Sequence, residues 1–288
     1  MLRRSFLTAG AVAAGATIFR ARPAHAAPST LEKARSEGYV TMGFTNELPY
    51  SYAVDGKLTG VDVEVARHVL NQLGIRELVG VLTEFQSLIP GLRARRFDLN
   101  STMYVTPARC RQILFTNPVW AVADGVIVAA GNPKGITSFQ SIAAKPSIRI
   151  GYLAGAELHA VMLKMGVKEE QMTAFPDQPS AIAALQADRV DGFANTSQGN
   201  AALLVKVADP KLAKAAPFEQ AVIDGKPLIS FGALGFRVQD TAFHKAFNEA
   251  LSGFIGSPEH LAMVKPFGFT EDEILPAAKA KIGILCAA

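Results

Sequence analysis

The sequence predicts an α/β protein of two lobes joined by two crossing strands, and three observations carry that prediction. Strand and helix patterns alternate over residues 39–103 and again over 147–208, which points to mixed, mostly parallel sheets flanked by helices. Two long extended runs, FTNPVWAVADGVIVAA and ISFGALGFRV, break the rhythm and supply the crossings. About 260 residues follow the leader described below, enough for two cores of ordinary size. The expected division is residues 27–125 with 228–288 in lobe 1, and 126–227 in lobe 2.

Residues 1–26 read as an export signal. Arg3 and Arg4 precede Ser-Phe-Leu and a run of small apolar residues, and Ala24-His25-Ala26 closes the segment. The pattern is twin-arginine-like, with cleavage near Ala26 and a mature chain starting at Ala27 in the periplasm. The apolar run is short and Ala/Gly-rich for a membrane anchor. The formal charge is +4, and the leader carries Arg3, Arg4, Arg20 and Arg22 without an acid, so the mature chain sits at 4 − 4 = 0. The pI of 9.1 therefore describes the leader. No basic cluster interleaved with aromatics occurs, which excludes a nucleic-acid partner.

In chain order, YVTMGFT is a strand and GVDVEVARHVLNQLG an amphipathic helix through Val61, Val65, Val69 and Leu73, with Gly60 and Asp62 at its start and Gly74 as its stop. ELVGVLT, SLIPGLRAR and FDLNSTM continue as strand, short helix and strand. After the first crossing come SIRIGYL, GAELHAVMLKMG, QMTAFP, PSAIAALQAD, RVDGFAN and QGNAALLVKVA, again alternating. The second crossing leads to the helix HKAFNEALSGFIG and a tail punctuated by Pro and Gly.

Ligands of open α/β sheets bind beyond the carboxyl ends of strands, and clefts between domains are favoured. Four loops answer to that rule: Asn46 to Tyr50, Thr102 to Arg109, Gly151 to Glu157, and Asn195-Thr196. The second is the most informative. Arg109 follows a strand end, with Thr106 three residues earlier, Tyr104 five earlier, and Pro107 presetting the turn. A guanidinium there grips a carboxylate through two parallel hydrogen bonds while aromatic faces cover the attached group. The constellation holds no nucleophile or base, so no catalytic residue is named. His68, His159, His244 and His260 lack metal-ligand spacing, and no cofactor motif occurs. Cys110 and Cys286 are the two cysteines, free to be one bridge or two buried thiols.

GKLTGVDVEVAR, SLIPGLRARRFDL, the Thr106-Pro107-Ala108-Arg109 turn and FTNPVW together resemble the solute-binding proteins of polar amino-acid ABC importers, over nearly the whole mature chain. The resemblance implies a type II periplasmic-binding fold of two α/β lobes that close on a ligand, an inner-membrane permease as partner, and a monomer. It places Arg109 on the ligand carboxylate, with Phe85 and Tyr50 as covering aromatics. Three departures narrow the ligand. Thr102 and Tyr104 replace a Gly and a Ser/Thr, Asn195-Thr196 stands where many members carry an aspartate for the α-amino group, and Glu47 enters the pocket. Without that aspartate a buried ammonium would lack a partner. Glu47, Tyr50, Phe85, Tyr104 and Arg109 resemble the ectoine/hydroxyectoine-binding branch, in which aromatics cage a cationic amidine. The expected binding set is Arg109, Glu47, Tyr50, Phe85, Tyr104, Thr102, Asn195, Thr196 and Gly155, around a small zwitterion. Rival readings are a polar or cationic amino acid, and a cyclohexadienyl-dehydratase-like enzyme using Glu47 or Glu157. Trp120, near the expected hinge, would report closure.

Overall fold

The computed structural model describes residues 28–287; the expected export leader and its expected cleavage site lie outside them. Two sheets organise the chain. The first runs Glu77–Leu82, Tyr39–Phe44, Leu99–Tyr104, Ser230–Phe236, Leu114–Phe115, with Trp120–Val122 also paired to Ser230–Phe236. Its first three strands are parallel and the returning Ser230–Phe236 is antiparallel to them. The second runs Met172–Phe175, Ile150–Leu153, Gly192–Thr196, Asp124–Ala129, Leu212–Lys214, the first three again parallel. Type II periplasmic-binding architecture is the result: two mixed α/β sheets flanked by helices.

The first extended run switches sheets in mid-course. Trp120–Val122 pairs with Ser230, Phe231 and Gly232 in the first sheet, and two residues later Asp124 pairs with Thr196 in the second. A strand cannot serve two sheets at once, so the run breaks at Ala123 into separate strands. The third strand also differs from expectation. It spans Leu99–Tyr104 rather than 97–103, because Phe97 leaves the ladder to pack with Leu88, Leu92 and Met103. Tyr104 therefore belongs to the strand end and not to the turn.

Helix Val61–Gln72 buries Val61, Val65 and Val69 as its spacing requires, and Val63 and Ala66 with them. Each fully buried Val contributes about 1.5–3 kcal/mol. The Pro- and Gly-punctuated tail holds three helices: Pro258–Val264, Glu271–Lys279 and Ile282–Ala287. Glu271–Lys279 starts in a capping box of Thr270 and Glu273, buries Ile274 and Ala277, and contains Pro276. The final helix docks on the Pro107–Cys110 helix, where a Cys110–Cys286 disulfide with Cα atoms 5.7 Å apart joins them.

Candidate functional site

The loops at the carboxyl ends of the two sheets meet around a small cavity, lined by Glu47, Tyr50, Phe85, Thr102, Met103, Tyr104, Arg109 and Trp120 from one side and Leu153, Ala156, Glu157, Leu158, Asn195 and Thr196 from the other. The space between its atoms comes to about 410 Å³, so any guest is small. A larger groove, about 1930 Å³ by the same measure, runs along the flank between Tyr52, Gln178, Ala202, Lys206 and Phe267. That groove gathers few charged groups, whereas the small cavity brings opposite charges and aromatic faces together, as ligand sites do.

Arg109 sits in the one-turn helix Pro107–Cys110, which Thr106 caps by accepting from the Arg109 N–H at 3.3 Å. Its guanidinium is 8% exposed and donates to the Tyr104 carbonyl at 2.8 Å and the Gly155 carbonyl at 2.9 Å. A guanidinium has five N–H donors, so three remain after those two bonds. Phe85 lies beneath it, 5.6 Å from ring centroid to Cζ. Burial lowers the Arg109 pKa and the Glu157 carboxylate opposes that shift.

Glu47 occupies the start of a tight turn in which its N–H donates to the Ser51 carbonyl at 2.9 Å. Only 8% exposed, its carboxyl is pushed up to about 8, first by burial and then by the nearby Asp62, with the Thr45 hydroxyl opposing. Tyr50, three residues on, packs 4.8 Å from the Trp120 ring and donates its hydroxyl to Thr196 Oγ1 at 2.7 Å across the cavity. Tyr104 meets Trp120 edge-on at 6.1 Å and donates to Asp124 at 3.0 Å. Burial raises Asp124 to about 6 against that hydrogen bond.

Eight of the nine residues expected at the site line the cavity, and Gly155 does not. Its carbonyl instead holds Arg109 from behind, at φ +80° with an added Cβ meeting Gln86 Cα at 2.9 Å. Two amides of the same loop already have backbone partners. Ala154 N–H donates to Phe175 O and Ala156 N–H to Leu153 O, so those donors are spent on the sheet and turn. Thr102 and Thr196 line the cavity with committed hydroxyls, the first donating to Asp62 at 2.6 Å and the second capping helix Ser197–Val207. Asn195 Nδ2, by contrast, is buried without a partner and presents a free donor.

Three groups escaped the sequence reading. Asp62 lies fully buried behind the wall, Asp124 stands opposite Thr196 in the ladder, and Trp120 is itself a wall of the cavity. The extended run around Trp120 placed it near the hinge but gave no sign of which sheet it would join.

Comparison with known proteins adds independent support. The family model for bacterial extracellular solute-binding proteins, family 3, matches residues 40–269. A probable amino-acid ABC transporter periplasmic-binding protein of Sinorhizobium fredii is 35% identical over 276 residues, covering 93% of this chain and 90% of the relative. The structure of EhuB in complex with hydroxyectoine superposes with a TM-score of 0.81 at 28% identity, covering 90% and 98% of the two chains. An ancestral amino acid-binding protein, a precursor of cyclohexadienyl dehydratase, reaches 0.70 at 20% identity over 83% and 99%, a likeness of fold alone.

Proposed function

The chain belongs to the bacterial extracellular solute-binding proteins of family 3, as a periplasmic solute-binding protein of an amino-acid-type ABC importer, and from that premise we propose that its ligand is a small zwitterionic compatible solute of the ectoine type. The observation that carries this reading is the pairing of Arg109 and Glu47 in one small cavity walled by Tyr50, Phe85, Tyr104 and Trp120. Arg109 takes the carboxylate through its remaining donors. Glu47 faces the cationic amidine, whose delocalised charge the aromatic faces also attract. Asn195 supplies a further donor from the opposite wall. The EhuB–hydroxyectoine complex is a relative of matching outline, which supports the same ligand class here.

The lobes, divided as the sequence suggests near residues 125 and 228, act in sequence. Ligand settles first on the wall carrying Arg109, and the second wall then closes through Tyr50–Thr196 and Arg109–Gly155. Closure is favoured only by the ligand's differential affinity for the closed state. The closed monomer then presents both lobes to the permease.

The α-amino acid reading is less well served. Asp124, the carboxylate nearest the missing aspartate's position in the ladder, is engaged by Tyr104 and does not line the cavity. Titration of Trp120 emission with ectoine, hydroxyectoine, arginine and glutamine tests the proposal. Micromolar binding of either amino acid with no response to ectoine would overturn it. Turnover of prephenate or arogenate would instead establish the enzyme reading, for which Glu47, held protonated near neutral pH, is the proton donor at hand.

A further inference from the structure

We propose that Asp62 is a positioning residue for ligand capture, fixing the Trp120 and Thr102 walls of the cavity from behind. It sits at the second position of helix Val61–Gln72 with no solvent exposure, in the GVDVEVAR stretch that no binding role has so far used. Three donors converge on its carboxylate: Thr102 N–H at 2.9 Å, Thr102 Oγ1 at 2.6 Å and Trp120 Nε1 at 2.9 Å. Thr102 lies on Leu99–Tyr104 and Trp120 on Trp120–Val122, so one side chain joins a helix to two separated strands.

The geometry gives this a consequence at the ligand. Trp120 is the ring against which Tyr50 and Tyr104 both pack, at 4.8 and 6.1 Å, and its other neighbour is Phe269 at 6.4 Å. Apolar packing alone leaves an indole free to rotate in its plane or swing about χ2, whereas a hydrogen bond from Nε1 to a fixed acceptor selects one orientation. Gly232 completes the seat, because an added Cβ would fall 2.3 Å from the indole. A buried carboxylate that no lysine or arginine pairs is costly, and the three charge-assisted hydrogen bonds offset that cost. Glu47 and Tyr50 are the titratable groups facing Asp62, and neither supplies a positive charge. An aliphatic residue would satisfy the core at this position but not the indole.

The inference rests on the proposed site, and its test separates the two. Trp120 is the single tryptophan of the chain, so the ¹⁵N-labelled protein gives one indole N–H resonance. Without ligand, that resonance is expected downfield and protected from exchange in the wild type, and shifted and exchanging in Asp62→Asn, whose amide offers one acceptor in place of two. An indole resonance unmoved by the substitution overturns the proposal whatever the ligand proves to be. In calorimetric titrations with ectoine and with arginine, Asp62→Asn is expected to weaken whichever binds by roughly tenfold. Trp120→Phe, which keeps a ring and removes the N–H, should lose a similar factor. The double variant should lose little more than either alone. Full additivity would overturn the proposal, and so would unchanged affinity in Trp120→Phe, which serves if Asp62→Asn does not fold. Failure of the wild type to bind either ligand counts against the ligand assignment alone, leaving the indole resonance to decide the role of Asp62.

Discussion

The wall that the first sheet contributes carries Glu47, Tyr50, Phe85, Tyr104, Arg109 and Trp120, while the wall from the second carries Leu153, Ala156, Leu158, Asn195 and Thr196, with Glu157 its ionisable member. Charge and aromatic surface are thus concentrated on one side. The other offers small side chains, a backbone carbonyl at Gly155 and the spare amide donor of Asn195. The difference teaches how labour is divided in a two-lobed binder. The first wall recognises; the second completes and encloses. In the proposed order of binding, interactions of the first wall form before closure, while those of the second add to affinity only through the closed population.

Substitutions on the two walls should therefore differ in size, and the comparison breaks if they do not. Arg109→Met removes the charged end of the site and should weaken ectoine binding by more than about 100-fold in a Trp120 titration. Glu47→Gln, on the same wall, should cost roughly 10- to 100-fold for a cationic ligand. It also alters the pH response of the ligand-free protein. The Glu47 carboxyl rises from an ordinary 4.5 to about 8 when buried, so the wild type keeps its full stability below 4.5 and loses it as pH climbs towards 8. The slope approaches 1.4 kcal/mol per pH unit in that window. In Glu47→Gln this loss is absent. Asp62 and Asp124 titrate in both proteins, so thermal melts of the pair across pH 4–9 isolate the Glu47 contribution.

The second wall should give smaller numbers. Asn195→Ala is expected to weaken binding about 3- to 10-fold by isothermal calorimetry, the worth of one neutral hydrogen bond. A larger loss than that of Arg109→Met would reverse the assignment of recognition to the first wall. Smallest of all should be Gln178→Ala, remote from the cavity. The Gln178 amide brackets the Leu48 peptide, accepting from its N–H at 3.1 Å and donating to its carbonyl at 3.3 Å. Its loss should reduce affinity by about 2- to 5-fold through a faster off-rate in stopped-flow.

Much of this arrangement was legible in the chain. Alternating patterns located both sheets, and loops after strand ends named Glu47, Tyr50, Phe85, Thr102, Tyr104, Arg109, Asn195 and Thr196, all of which line the cavity. What failed to show was pairing at a distance. Asp62 reads locally as an acid near a helix start, since nothing in its neighbourhood reveals acceptance from Thr102, 40 residues on, or from Trp120, 58 on. Gly155 turns its carbonyl to Arg109 rather than lining the cavity, and the Ala154 amide of its loop is taken by Phe175, which comes later in the chain. The bounds of the tail helices did not show, because Pro276, a residue that ordinarily ends a helix, lies inside Glu271–Lys279.

The bond between Cys110 and Cys286 fastens the last helix to the residue next to Arg109. The far terminus thus braces the turn that carries Arg109, and under the proposed function oxidation state and capture of solute share one joint. A chain still reduced would have its recognition surface assembled but unbuttressed. Thiol reagents should then erode affinity before they erode fold, a sequence of events in which the ligand itself is the earliest indicator of oxidative maturation.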